Sequence, residues 1–130
     1  MTLVSVTRLR LRSNRYVLPF LIDTVLSFWQ AKRAIGHLKS TVRNAKHRTF
    51  WTLSVWEDET AMRNYIRSGS HRKAMPKLQQ WCDEASVVHW EQDDNRLPTW
   101  KEAEYKMKEH GRFTPVAHPS SAQLAKMISI

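Results

Sequence analysis

Three glycines and one cysteine in 130 residues are the first limits on what this chain can be. Phosphate-cradling loops and dinucleotide-binding turns are built from clustered glycines, and neither pattern occurs, nor does a GxSxG nucleophile elbow. Kinase, dehydrogenase and serine-hydrolase chemistry therefore drop out. Cys82 has no second cysteine to bridge, and it falls on the apolar stripe of a predicted helix, where a small hydrophobe fits better than a reactive thiol. Also missing is any uninterrupted apolar run near the roughly 18 residues of a membrane span, as is an apolar leader at the N-terminus. A soluble, cytoplasmic protein without a membrane span is expected. His37, His47, His71, His89, His110 and His118 show none of the short ligand pairings of closed metal sites, so no metal is expected.

Acidic residues are scarce in one region only. Residues 1 to 50 contain ten Lys or Arg against the single acid Asp23, whereas residues 51 to 130 balance eleven bases with eleven acids. The whole excess of +9 thus lies in the first 50 residues. Such a field attracts nucleic acid, acidic lipid headgroups or carboxylated small molecules, or is simply a solvated surface; composition does not choose.

What is present is an alternation of periods. Val4 to Arg12 repeats every two residues, with Val4, Val6, Arg8, Arg10 and Arg12 on one face and Ser5, Thr7, Leu9 and Leu11 on the other. A helix follows, with Pro19 in its first turn and Leu18, Leu21, Ile22, Val25 and Trp29 at helical spacing as far as Gly36. Its opposite side is apolar too, through Val17, Phe20, Phe28 and Ala31, so it is either buried on two sides or covered by another subunit. His37 to Asn44 and Arg48 to Trp56 read as a hairpin of two strands. Glu57, Asp58 and Glu59 open a second helix that Ser68-Gly69-Ser70 ends, and Ser70 can cap a further helix in which Pro76 predicts a kink or restart. On that helix His71, Ala74, Met75, Leu78, Trp81 and Cys82 share the inward stripe. Ser86 to Gln92 completes the order β-α-β-β-α-β.

That order is the ferredoxin-like arrangement, an α+β sandwich with an antiparallel sheet and helices on one face. Residues 1–92 are expected to form this domain, and residues 93–130 a C-terminal extension with one short helix from Thr99 and a mobile tail from Arg112. Large residues such as Phe50, Trp51, Trp56 and Trp90 occur on both parities of the strands, so an open sheet would expose too large an apolar patch. A homodimer that buries it is the expectation.

The run FWTLSVWEDETAMRNYIRSGSHRKAMPKLQQWCDEA, with VTRLRLRS before it and VVHW after it, resembles a bacterial branch of the dimeric α/β-barrel superfamily close to the antibiotic-biosynthesis monooxygenases. It is also similar to part of spheroidene monooxygenase. The resemblance covers about residues 2 to 92. It implies a ferredoxin-like protomer, a dimer whose sheets face one another, and a pocket between sheet and helices. The superfamily includes cofactor-independent oxygenases of aromatic or quinol substrates, haem-degrading enzymes and proteins of no known reaction, and fold does not choose among them.

For oxygenation the pocket must hold an ionisable, electron-rich substrate near a cation or hydrogen-bond donor. Arg8 and Arg10 can bind an anion with two hydrogen bonds each, and His71 can exchange a proton near neutral pH. Equally, the arginines suit a solvated edge and His71 a half-buried structural role. Trp51, Trp56 and Trp90 are core or interface anchors, or walls of the pocket. His89 reads as structural. In the haem-degrading relatives a helix histidine holds the iron, and the matching place here is Met75, one turn beyond His71. His71 presents the same helix face, so haem stays open as a cofactor beside none at all. An RNA-recognition sheet would need a Lys/Arg-Gly-Phe/Tyr-Gly-Phe signature that is absent, so nucleic acid is not the expected partner. The expected function is a monooxygenase-like protein that binds a small apolar or aromatic anion, with His71 at the reacting end and Arg8, Arg10, Trp51, Trp56 and Trp90 around the ligand. Binding of a small molecule without turnover is the alternative.

Overall fold

Period-two alternation from Thr2 to Leu11 builds the central strand β1, and its neighbours follow from the same pattern in β2 (His37–Ala45), β3 (Thr49–Trp56) and β4 (Cys82–Gln92). The computed structural model describes residues 1–128. Between the strands lie α1 (Val17–Arg33), α2 (Glu59–Ile66) and α3 (Gly69–Trp81), and after them α4 (Trp100–His110), β5 (Arg112–Phe113) and the single turn α5 (Ser121–Leu124). The sheet order is β2-β3-β1-β4-β5 with antiparallel pairing throughout. Its first four strands are the ferredoxin-like arrangement expected from the sequence.

β1 is buried on both faces. Val4 and Val6 pack with Trp51, Leu53, Val55 and Val88 against Ala103 and Met107 of α4. On the other face Leu3 joins Trp56 and Met62, and Leu11 joins Phe20 and Cys82, beneath the layer of α1, α2 and α3. The apolar surplus that argued for a homodimer is thus absorbed within one protomer: Trp51 is 2% exposed and Val4 and Val6 not at all. A helix of the C-terminal extension stands where a second sheet was expected.

The two apolar sides of α1 are treated differently. Phe20 and Ala31 are buried, whereas Leu18, Leu21, Ile22, Val25 and Trp29 remain exposed. α2 starts at Asp58, whose carboxylate accepts the Ala61 N–H and offsets the open amides of the first turn. The next helix begins after Ser68, two residues before the expected cap Ser70, and runs through Pro76 to Trp81 as one element with no restart. Cys82 follows it directly as the first residue of β4, fully buried, and burial pushes its thiol up to about 12.

From Arg112, where a mobile tail was expected, the described residues make defined contacts with the sheet edge. β5 pairs with β4 through Ser86 and Val87. The Gln123 amide accepts the Ala85 N–H at 3.2 Å and donates to the Thr114 carbonyl at 2.9 Å, while Ser120 Oγ donates to Glu84 Oε2 at 2.8 Å. Proline and serine made this stretch look like a linker, but its backbone groups find partners on the sheet edge.

Candidate functional site

A row of small hydroxyls crosses the helix-facing side of the sheet. Strand register sets it: Ser5 of β1 stands opposite Ser54 of β3 and His89 of β4, and Thr7 opposite Thr52 and Val87. Side chains two residues apart share a face, so Ser5, Thr7, Thr52, Ser54 and His89 all point toward the helices. Over this floor lies a cavity of about 270 Å³. Its roof comes from Phe20, Thr24 and Phe28 of α1, Tyr65 of α2, and His71, Ala74, Met75 and Leu78 of α3. Thr114 to Val116 line one end. A larger, shallower groove of about 780 Å³ lies between the end of α1 and α2 but contains neither histidine, so the smaller cavity is the candidate.

His71 is placed by Gln30, which the sequence did not single out, and by Gly69, which it read only as part of a helix end. Gln30 of α1 accepts the His71 backbone N–H at 2.9 Å and donates to the carbonyls of Tyr65 and Ser68 at 3.1 and 2.7 Å. One side chain therefore satisfies the start of α3 and the end of α2. Gly69 has φ +58°, and a Cβ there would lie 2.8 Å from Gln30 Oε1, so both its backbone and its bareness are needed for this junction. The His71 ring then packs 4.8 Å from the Tyr65 ring, which lies 5.0 Å from Trp56. Tyr65 donates its hydroxyl to the Ser27 carbonyl at 3.0 Å, and burial pushes its pKa up to about 12. Trp56 Nε1 donates to Ser54 Oγ at 2.9 Å.

Both histidines of the cavity are held neutral. Burial lowers the pKa of His71, against a smaller opposite pull from the Ile66 backbone. Burial and then the nearby Arg112 guanidinium lower that of His89. His71 Nδ1 and His89 Nε2 are each buried without a hydrogen-bond partner among the described residues. A neutral imidazole whose ring nitrogen has no partner keeps the capacity to accept or donate one hydrogen bond there. The charged residue in the lining is Asp23, which faces Lys77 Nζ at 3.2 Å; no lysine or arginine among the described residues lines the cavity.

The residues expected to surround the ligand divide between the two faces of the sheet. His71 and Trp56 line the cavity. Arg8, Arg10, Trp51 and Trp90 do not. Arg8 is buried on the α4 side and bonds Glu84 at 2.8 Å, and Arg10 grips Asp83 with a two-pronged contact of 2.9 and 2.8 Å. Asp83 raises the Arg10 pKa further. These guanidiniums are held by carboxylates of β4 rather than poised for a ligand beside His71. Trp51 lies 5.1 Å under the Arg43 guanidinium and Trp90 5.5 Å under the Lys106 amine. His89, which read as structural, belongs instead to the cavity. The signal for it was parity: it lies two residues after Val87 and pairs with Ser5, one of the two polar residues on β1's pocket side.

Haem does not fit this site. A porphyrin with two carboxylates is larger than a cavity of about 270 Å³, and no cation in the lining meets its propionates. Among the described residues no group of three or more metal-binding side chains occurs, and no helix is long and apolar enough to cross a membrane.

A family profile described as "Domain of unknown function (DUF3291)" matches residues 26–118, running past the last long strand into the C-terminal extension. No curated protein sequence matches the chain. Solved structures share its fold. A conserved protein from Methanosarcina mazei Go1 superposes with a TM-score of 0.64 at 17% identity, covering 72% of this chain and 94% of its own. SnoaB, a cofactor-independent oxygenase from Streptomyces nogalater, gives 0.60 at 14% identity, covering 75% and 98%. An antibiotic biosynthesis monooxygenase gives 0.63 at 10% identity, covering 71% and 99%. The monooxygenase-like fold that the sequence run resembled is the fold of this chain.

Proposed function

The chain belongs to the DUF3291 family, and from that premise we propose that it binds one compact, weakly acidic aromatic or enolisable molecule between sheet and helices and promotes its reaction with dioxygen without a cofactor. One observation carries this: two histidines that burial keeps neutral line an apolar cavity floored by hydroxyls, and each has a buried ring nitrogen without a hydrogen-bond partner among the described residues. The volume of about 270 Å³ lies just under the usual range of roughly 300–1,000 Å³ for ligand sites, so the ligand is small.

The absence of a lining cation changes the expected ligand from an anion to a neutral acid. A carboxylate would lose its hydration with no cation to offset its charge, whereas a phenol or enol enters neutral and forms its anion in place. His71 Nδ1 is the proton acceptor, with the floor hydroxyls and His89 as donors to the developing oxyanion. Deprotonation of a CH₂ next to a carbonyl gives an enolate whose former CH₂ carbon adds dioxygen, and the proton held by His71 passes to the peroxide to give a hydroperoxide. Loss of water from the resulting hydroperoxide leaves a carbonyl, so one oxygen atom enters the product and the other leaves in water. SnoaB, of the same fold, is a cofactor-independent oxygenase, which is compatible with chemistry needing no added redox group.

Binding without turnover is the second reading, favoured by the same lack of a cation to stabilise charge. Oxygen uptake with β-tetralone as probe separates the two. Uptake that depends on wild-type protein and is lost in His71→Ala supports the oxygenase; saturable binding of the probe with no uptake supports binding alone; no binding refutes both.

A further inference from the structure

Two features of the molecule take no part in the cavity: the exposed ridge of α1 and the basic excess of the first 50 residues. Leu18, Leu21, Ile22, Val25, Leu26 and Trp29 recur at i, i+3, i+4, i+7, i+8 and i+11, so they form one continuous strip, and each is 42 to 69% exposed. Several hundred Å² of contiguous apolar surface is the size at which a patch marks an interaction site. Stability of the fold does not require it, because α1 already buries Phe20 and Ala31 inward.

The charges around the strip point to what covers it: most are basic, and the acids at its edge, Glu57 and Asp58 across the groove from Leu26 and Trp29, lie on the α2 side, where Asp58 is occupied by the Ala61 N–H. Lys32 and Arg33 follow Trp29 by three and four residues, which keeps them on the strip's own face, and both are exposed. Arg15 is exposed just before its other end. Beside α1 runs α3, whose Arg72 and Lys73 are exposed and which contains no acid. Asp23, the one acid of α1, is taken up by Lys77. A second copy of this chain fits poorly. A two-fold pairing presents the same patch twice, so an antiparallel α1 pair brings Arg15 toward the partner's basic end and a parallel one sets Lys32 and Arg33 against themselves. A surface of apolar interior and negative rim satisfies both features together.

We propose that α1 lies in the plane of an anionic lipid surface, its Leu18-to-Trp29 strip sunk at the headgroup boundary and its basic flanks on the lipid phosphates. Such binding grows with buried apolar area and with attraction to acidic lipid, and is weakened by salt. The cavity lies directly beneath, between α1 and α3, so an apolar molecule dissolved in the bilayer has a short path to it. The lipid role stands whether or not that molecule is oxidised.

Co-sedimentation of the full chain with phosphatidylcholine vesicles, with and without phosphatidylglycerol, tests it. The expected result is binding to the anionic vesicles that is about tenfold or more weaker on neutral vesicles and is reversed by salt. Ile22→Glu with Val25→Glu removes it, and Lys32→Glu with Arg33→Glu weakens it, while circular dichroism shows both variants folded, as expected for exposed positions. No binding of the wild type, or binding unchanged in the Ile22→Glu/Val25→Glu variant, overturns the proposal. A wild-type dimer in sedimentation equilibrium that becomes monomeric in that variant, without vesicle binding, overturns it in favour of a second copy.

Discussion

Gln30 Oε1 accepts the backbone N–H of His71 at 2.9 Å, so a residue of α1 sets where α3 begins and where the imidazole enters the cavity. The same amide holds the Tyr65 and Ser68 carbonyls. Removing it orphans groups on both helices. Gln30→Leu is expected to cost about 1–3 kcal/mol in urea unfolding and to weaken binding of α-naphthol, whereas Gln30→Glu keeps the acceptor for His71 and recovers part of the affinity. Equal affinity in all three proteins would show that the junction does not position His71.

Acid should destabilise the fold through its neutral histidines. Burial lowers the pKa of His37, His71 and His89 below the ordinary value of 6.5. The unfolded chain therefore takes up protons before the folded one as pH falls. Stability is full above about 6.5 and is lost progressively below it, toward the lowered folded values. Urea midpoints measured on either side of that pH should fall with acid in the wild type and fall less in the His71→Gln/His89→Gln variant. An equal decline in both would assign the loss to other groups.

Arg8 and Glu84 form a pair that is 4% and 2% exposed. Breaking it from one side leaves the other charge buried, and Glu84→Gln is expected to cost about 3–5 kcal/mol. Replacing both, Arg8→Met with Glu84→Leu, should cost less than the single change, because no buried charge is stranded. Arg10→Ala should leave α-naphthol affinity unchanged, since Arg10 is turned toward Asp83 on the far side of the sheet. A large loss of affinity there would restore the anion-binding role that its sequence position suggested.

Met107 of α4 is fully buried against the sheet. Met107→Ala should lower stability by about 2–5 kcal/mol in urea unfolding. A negligible effect would mean that α4 does not cover the sheet in solution and that another surface does.

The element order was legible because strand alternation and helical spacing differ by residue, and Val4, Val6, Leu53 and Val55 kept strict parity. The covering of the sheet was not legible, because Ala103 and Met107 are a weak apolar signal beside a tryptophan-rich strand. Arg8 and Arg10 looked like ligand groups because their carboxylate partners, Asp83 and Glu84, lie more than 70 residues away and meet them only through strand register. α1 carried apolar residues on both sides, and periodicity alone does not say which side turns inward. His71 was visible from its helix stripe, but His89 needed the pairing of β4 with β1 to join it.

The central claim is that one small molecule meets His71 and His89 together inside the protomer. Carbon-edited NMR of the histidine rings during titration with α-naphthol tests it most directly. Signals of His71 and His89 should shift in parallel and saturate at one equivalent, while those of His110 and His118 stay fixed. Saturable binding that leaves both cavity histidines unmoved, or no binding at all, would contradict it.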